Sequence, residues 1–168
     1  MSEMTGRHFM DRKMLVTAAA AGLVATAFTG VADRLLDRLV SDEQKKRDRM
    51  VRKGTAHEMA GPYFAEKMTG RELDEKGKKR AKTTFSIAYS LVWGAAYGII
   101  RKKYPQLSRY AGLPFAVPFF FACDGLLAPL FGVSPNLKKV PWQPSAKEMA
   151  NHVAWTATAE MVHRAAAR

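Results

Sequence analysis

The sequence predicts an all-α integral membrane protein, a bundle of about four transmembrane helices with a long polar helical loop after the first. Long uncharged apolar runs, charges gathered between them and small residues at helical spacing together favour this fold. With 48% hydrophobic residues among 168, the average composition alone would suit one soluble domain. However, residues 33–82 contain 15 of the 27 Lys and Arg and 10 of the 15 Asp and Glu. The rest of the chain is therefore strongly apolar.

The first apolar run covers residues 14–32 and contains no charged residue. At about 1.5 Å per residue, a helix of this length crosses the roughly 30 Å hydrocarbon core of a bilayer. A secretory signal peptide is the alternative, because residues 25–27 (Ala-Thr-Ala) resemble a small-residue cleavage site. The run is longer than the usual apolar core of a signal peptide, so we expect a retained transmembrane helix.

Residues 33–82 are expected to form the helical pieces of a basic, amphipathic loop on the membrane surface. Residues 55–58 and 69–72 both have the pattern of a capping box, which predicts a helix start at each. Gly61-Pro62 between them predicts a break in the chain's helical structure. No part of the loop has the spacing of a catalytic motif.

Three further spans are predicted, which makes residues 1–168 a single membrane domain. The second span covers residues 83–100. The third covers residues 110–131, where three prolines predict kinks that neighbouring helices tolerate in a membrane. Residues 145–148 have capping-box form and predict the start of the fourth span, residues 146–163, which is the least apolar of the four.

Positive charges favour one topology. The long loop and the segment after the third span hold 18 of the 27 Lys and Arg, which predicts that both lie in the cytoplasm and both termini outside. A loop of about 50 residues is close to the length at which this rule loses its force.

Small residues recur every four positions in three of the predicted spans, which predicts close helix packing. Lipid offers no hydrophobic drive for helices to associate, so close approach of backbones must help to hold the bundle together. The residues predicted to pack in this way are Gly22 and Gly30 in the first span, Ser90, Gly94 and Gly98 in the second, and Ala154 in the fourth.

Three ionisable residues lie inside apolar segments, namely Asp124, His152 and Glu160. A charge at bilayer depth costs roughly 2.5–3.5 kcal/mol, so such residues face the bundle interior and are usually paired. His152 and Glu160 are about 12 Å apart along a helix and cannot touch, whereas Asp124 could pair with either. One interpretation is a proton-responsive or ion-conducting site; the other is a set of structural hydrogen bonds between helices.

Enzymatic chemistry has little support in the sequence. There is no Gly-rich phosphate loop, nucleophile elbow or metal-spaced cluster of His and Cys, so no catalytic, cofactor-binding or metal-binding residues are predicted. The single cysteine, Cys123, excludes an intrachain disulfide. A net charge of +12 suggests an anionic partner. Because the basic clusters lack interleaved aromatics and adjoin an apolar helix, anionic lipid headgroups are favoured over nucleic acid.

Beyond residue 63, short motifs follow one another in a fixed order. After a basic run come Trp93-Gly94-Ala95-Ala96-Tyr97-Gly98, Tyr104-Pro105, Asp124, Pro129, Gly132-Val133-Ser134-Pro135, Pro141-Trp142, His152 and Glu160. This ordered set, which covers about two-thirds of the chain, resembles the YagU-like family of small bacterial inner-membrane proteins. The family often has a second acid directly after the aspartate, where Gly125 stands here. The resemblance implies placement in the bacterial inner membrane and no established biochemical activity.

Three functions are compatible with these observations. The first is a non-enzymatic, multi-pass inner-membrane protein that helps the envelope to tolerate acid or other stress through buried titratable residues. The second is a small transporter or channel subunit acting as a homo-oligomer. The third is a membrane scaffold whose basic loop binds anionic lipid or a partner.

Overall fold

The computed structural model describes residues 12–168, which fold into helices joined by short turns with no strand among them. The helices are α1 (Arg12–Asp37), α2 (Asp42–Val51), α3 (Ala56–Thr69), α4 (Glu75–Lys103), α5 (Arg109–Phe120), α6 (Ala128–Leu130) and α7 (Trp142–Ala166). A 3₁₀ turn at Pro105–Ser108 precedes α5, and a π-helical turn at Phe121–Leu127 joins α5 to α6. The predicted all-α bundle is confirmed.

Three segments are long and apolar enough to cross a membrane, namely Arg12–Asp37, Glu75–Lys103 and Pro105–Leu130. The first two contain the first two predicted spans, and the third covers all but the last residue of the third predicted span, residues 110–131. The fourth predicted span lies in α7, whose 25 residues are long enough to cross a bilayer at about 1.5 Å per residue. However, α7 is not among the apolar candidates in residues 12–168, so a count of four spans stays a prediction.

Helix α7 packs against both α1 and α5, and α4 packs against α1 on one side and α3 on another. This central position explains the polar sequence of α7, because its polar side chains are enclosed by other helices rather than by lipid. Glu148, Asn151, Thr156, Thr158, Glu160 and His163 are all buried on it.

The crossing of α1 and α4 depends on two glycines. A Cβ at Gly22 would overlap the backbone carbonyl oxygen of Ser90, and a Cβ at Gly94 would overlap that of Ala18. The two backbones therefore touch, which is the close approach that small residues permit in membrane bundles. Gly98 continues this contact, since a Cβ there would lie 3.0 Å from the Ala18 side chain.

A hydroxyl cluster ties α1, α4 and α7 together at the middle of the bundle. The fully buried Ser90 hydroxyl donates to Thr26 Oγ1 at 2.6 Å, and Trp155 Nε1 donates to the same oxygen at 3.0 Å. The other predicted packing residues are less enclosed. Ala154 is half-buried, and Gly30 is exposed, with nothing within 4 Å of a Cβ placed there.

Of the three capping boxes predicted in and after the loop, only one starts a helix. Thr55 caps α3 as expected, with its side chain accepting from the Glu58 N–H and the Glu58 side chain accepting from the Thr55 N–H. The predicted start at residues 69–72 is wrong, because Thr69 ends α3 and the N-cap of α4 is Asp74. The predicted break at Gly61-Pro62 is also wrong, because α3 continues through both residues.

The start predicted at Ser145 is wrong as well, because α7 already begins at Trp142, one turn earlier. Pro141, which has no N–H to lose, stands at the N-cap position without a side-chain cap. Glu148 is consequently inside the helix and buried, and it does not cap the helix end.

The entry to α5 is a left-handed turn. Tyr110, Ala111 and Gly112 have φ values of 50°, 56° and 80°. Only glycine fits the last position, because a Cβ at Gly112 would overlap the Thr156 side chain and the Tyr97 hydroxyl.

Candidate functional site

A partly open cleft of about 750 Å³ lies in the half of the bundle next to the polar loop. Its walls come from α1, α3, α4, α7 and the segment from Phe119 to Phe131, and both apolar and charged side chains line it. Thr26 and Trp155, which belong to the central hydroxyl cluster, form part of the lining.

Asp124 and His152 meet in this cleft. His152 Nε2 lies 3.4 Å from Asp124 Oδ2, and both side chains are close to nine-tenths buried. Asp124 lies on the π-helical turn, where the Ala128 N–H bonds to the Cys123 carbonyl five residues back. The ring of Pro129 would clash with the Gly125 carbonyl in a regular helix, which explains why the helix widens here. Such π turns are frequent at functional sites.

The hydrogen bond of His152 sets the tautomer of its ring. Its Nδ1 lies 2.9 Å from the Glu148 carbonyl oxygen, which can only accept, so Nδ1 carries a hydrogen. A neutral imidazole opposite a carboxylate would set two lone pairs against each other and leave an isolated charge at bilayer depth. An imidazolium opposite a carboxylate and a neutral imidazole opposite a carboxylic acid both avoid this, and in each the pair carries one proton in addition to that on Nδ1.

Glu148 and Asn151 stand beside this pair on α7 and have unused oxygens. Glu148 is 8% exposed, and its Oε1 accepts no hydrogen bond from the described residues. The nearest cation is Arg52, at a long 3.8 Å, and Arg52 also pairs with Asp48 at 2.8 Å. Asn151 donates to Asp33 Oδ1 at 2.7 Å, while its own Oδ1 accepts nothing within the described chain. A buried acceptor without a donor is costly, which marks this region as incompletely satisfied.

Ion pairs that join α7, α1 and α2 lie along one rim of the cleft. Lys147 lies 3.1 Å from Asp33 and 3.3 Å from Asp37, and Lys45 of α2 reaches Asp37 at 2.8 Å. These carboxylates are therefore neutralised by lysines, unlike Asp124.

Helix α3 covers the cleft from the loop side. His57 Nε2 lies 3.2 Å from the Ser86 hydroxyl, and Lys82 pairs with Glu58 at 2.9 Å. Burial, together with the charge of Lys82, lowers the pKa of His57. Burial raises the pKa of Glu58, but the hydrogen bond from Lys82, the charge of Lys82 and the hydrogen bond from the Thr55 N–H together outweigh it, so the pKa lies below its ordinary value.

Aromatic rings form a continuous wall along the cleft. Phe131 contacts Phe64, which stacks on Phe85, and Phe85 stacks on Tyr89, with centroid distances of 5.8, 6.1 and 5.5 Å. Phe119, which also lines the cleft, contacts the His152 ring at 4.7 Å and the Trp155 ring at 5.4 Å.

Glu160 does not belong to the cleft. It is 2% exposed and lies nearer the opposite end of α7, where it accepts from the Tyr97 hydroxyl at 2.8 Å, from two nitrogens of Arg101 at 2.9 and 3.0 Å, and from Arg164 at 2.8 Å. The structure therefore brings together two of the three ionisable residues singled out in the sequence and separates the third. Every donor that Glu160 meets belongs to the bundle itself, which gives it a structural role.

The sequence did not point to Glu148, Asn151, Asp33 or Arg52 as site residues. Glu148 was assigned to a helix cap, and Asp33 and Arg52 lie in a loop expected on the membrane surface. The available signal was the four-residue spacing of Glu148 and His152, which places both on one helix face. Within residues 12–168, no three His, Cys, Asp or Glu are grouped so as to hold a metal ion.

Comparison with known proteins identifies the family. Residues 65–161 match the family described as "Protein of unknown function (DUF1440)". Inner membrane protein YagU of Escherichia coli (strain K12) is 24% identical over 78 residues, which are 46% of this chain and 38% of YagU. The aligned segment thus spans well under half of that relative's length, and no solved structure matches the chain. Because the family match covers more than half of the sequence, the predicted YagU-like resemblance is confirmed, and this membrane protein belongs to the DUF1440 family.

Proposed function

We propose that this protein is a non-enzymatic, proton-responsive protein of the bacterial inner membrane, which helps the cell envelope to withstand acid. The observation that carries the proposal is the Asp124–His152 pair, which lies in a cleft with Nε2 of His152 3.4 Å from Oδ2 of Asp124 and Nδ1 held by a backbone carbonyl. The inner-membrane placement is supported by the similarity to YagU, whose name states that location. A multi-pass arrangement is supported by the three long apolar helices.

The pair is suited to sensing protons because, within residues 12–168, no other cation lies close enough to neutralise the Asp124 carboxylate. Asp124 has no Lys or Arg within ion-pair distance in the described chain, so its charge depends on the proton shared with His152. A second proton makes the pair cationic, and at bilayer depth such a change is large enough to alter side-chain packing. Acidification would therefore act directly on the contact between the π-helical turn and α7.

Infrared difference spectroscopy of the purified protein in nanodiscs, between pH 8 and pH 5, tests the proposal. All variants are made in a Glu148→Gln background, so that the other buried carboxyl of the cleft gives no signal. We expect a change in carboxyl protonation that disappears in Asp124→Asn and persists in Glu72→Gln, a control acid that is exposed in the loop. A spectrum unaffected by Asp124→Asn would contradict the proposal. In cells, Asp124→Asn should fail to restore acid survival to a deletion strain at unchanged protein level.

A second candidate function, lipid or partner binding by the loop, is favoured by the exposed basic residues on α2 and the first turns of α4. These include Lys46, Arg49, Lys76, Lys79 and Arg80. Basic side chains next to a span attract anionic headgroups by about 1 kcal/mol each. The double variant Lys46→Glu/Arg49→Glu should reduce the anionic lipid retained on purification, whereas Glu72→Gln should not. If the double variant and Glu72→Gln retain equal amounts of anionic lipid, this role for α2 is excluded.

A further inference from the structure

We propose that the cleft binds a hydrophobic organic cation, such as a quaternary ammonium or phosphonium ion, and that the bound cation displaces the proton shared by Asp124 and His152. This inference rests on the proposed proton-responsive function and adds to it the class of ligand.

The charges around the cleft favour a cation. Asp33, Asp37 and Glu58 are each paired with a lysine at 3.3 Å or less, so these carboxylates and their lysines neutralise one another. Asp124 has only His152, and Glu148 has only the distant Arg52. After pairing, the lining is left with two carboxylates that lack a close Lys or Arg. Arg34 also lines the cleft and has no acid within ion-pair distance in the described chain. The lining carboxylates (Asp33, Asp37, Glu58, Asp124 and Glu148) nevertheless outnumber the lining Lys and Arg (Arg34, Lys82 and Lys147), and this negative excess favours a cation.

Charged and titratable groups surround the Asp124–His152 pair from every neighbouring helix. They are Asp33, Arg34 and Asp37 from α1, Arg52 directly after α2, His57 and Glu58 from α3, Lys82 from α4, and Lys147 and Glu148 from α7. Lys147 and Lys82 are held by Asp33 and Glu58, and Arg52 by Asp48. The nearest carboxylate without a close cation is that of Glu148, on the same helix as His152, and it adds negative potential at the site.

The aromatic wall supplies the hydrophobic and cation-binding surface. The aromatic rings that line the cleft include those of Phe64, Phe85, Tyr89, Phe119 and Trp155. Aromatic faces attract desolvated cations by about 2 kcal/mol and bury the apolar substituents of the same molecule. A volume of about 750 Å³ lies within the range of small-molecule sites, which runs from about 300 to 1,000 Å³.

Binding and protonation exclude each other at this site. In the ligand-free state the pair holds one proton and is neutral overall. A cation that pairs with the Asp124 carboxylate leaves His152 as a neutral imidazole with its hydrogen on Nδ1, so one proton passes to solvent. Charge is conserved, because one positive charge enters and one leaves. High proton concentration must therefore weaken binding.

The test uses tetraphenylphosphonium and tetraphenylborate, which share size and shape but differ in the sign of their charge. Each is titrated by calorimetry into the nanodisc-embedded protein, with empty nanodiscs as the blank. We expect saturable binding of tetraphenylphosphonium that is at least tenfold tighter at pH 8 than at pH 5.5, with about one proton released per cation at pH 7. Tetraphenylborate should show only partitioning into lipid.

Asp124→Asn should abolish saturable tetraphenylphosphonium binding, whereas Glu72→Gln should retain it. Saturable binding of both ions with equal affinity would show an apolar cleft without charge selection and overturn the inference. Absence of tetraphenylphosphonium binding by the wild-type protein would do the same, without any need for a variant. If the infrared signal of Asp124 persists in that case, the proton-responsive function stands and only the ligand class fails. If the signal is absent as well, both fail.

Discussion

The two ends of α7 hold buried carboxylates in opposite circumstances. Near its C-terminal end, Glu160 accepts hydrogen bonds from Tyr97, Arg101 and Arg164, so both of its oxygens are satisfied within the bundle. Near its N-terminal end, Glu148 has an oxygen that accepts nothing from the described chain, and the neighbouring Asp124 meets only a histidine. A carboxylate whose oxygens all accept hydrogen bonds within the bundle holds helices together. A carboxylate in a cleft that lacks such donors is free to exchange partners.

The largest effect is expected from Glu160→Gln. The substitution leaves Arg101 without its carboxylate in a part-buried position, and breaking such a pair costs about 3 kcal/mol. We expect a clear loss of thermal stability in detergent. Arg164→Gln is the matched control on the same carboxylate, and its exposed side chain should cost less than about 1 kcal/mol. Equal effects of the two variants would remove the structural role given to Glu160.

The next largest effect is expected where the bundle is closely packed, and it is measured by making the same Gly→Ala substitution there and in the cleft. Gly94→Ala forces a methyl group into the Ala18 carbonyl at the α1–α4 crossing and should destabilise the protein by about 1–3 kcal/mol. Gly30→Ala, at a position that lines the cleft and has free space, should be neutral. Thermal melting in one detergent compares the two directly. A neutral Gly94→Ala would mean that the backbones do not touch there.

Asp124→Asn should have a small effect on stability, within about 1 kcal/mol, because the amide keeps the shape of the carboxylate and removes a charge that is costly to bury. The melting temperature at pH 8 would measure this. A loss as large as that of Glu160→Gln would show that Asp124 is a structural residue. The contrast between the two ends of α7 would then be lost.

The smallest effect concerns His57, which covers the cleft from α3. Because its pKa is lowered in the folded state, the unfolded chain binds more protons than the folded one below about pH 6.5. Its contribution to stability is therefore present above pH 6.5 and is lost as the pH falls further. His57→Gln should flatten the decline in melting temperature between pH 7 and pH 5. An identical pH profile in wild type and variant would contradict this effect.

The fold was largely predictable because three features needed no tertiary information. The uncharged runs, the small-residue spacing at Gly22 and Gly94, and the cap at Thr55 each follow from local chemistry. Helix α7 was harder to interpret. Because other helices surround α7, its side chains need not be apolar. Mean hydropathy therefore identifies the lipid-facing helices around α7 but does not identify α7. The capping pattern at Ser145 likewise did not predict that α7 begins earlier, at Trp142, with Pro141 at the N-cap.

The candidate site was predictable only in part. Asp124 and His152 are exceptional as ionisable residues among apolar ones, which sequence reveals directly. Their pairing, and the exclusion of Glu160 from it, depends on where Arg101 and Tyr97 lie across a helix interface. Asp33 takes part because α1 continues past its apolar run and packs along α7, and Arg52 because the chain after α2 lies against the start of α7; both contacts join residues about 100 positions apart.

The most direct test of the shared proton is nitrogen NMR of histidine-labelled protein in nanodiscs, with His152 assigned from His152→Gln. Nδ1 of His152 should remain protonated from pH 8 to pH 5, since it donates to a backbone carbonyl. The chemical shift of Nε2, which faces the Asp124 carboxyl at 3.4 Å, should differ between the wild type and Asp124→Asn at the same pH. An Nε2 signal that is identical with and without the Asp124 carboxyl would contradict the shared proton.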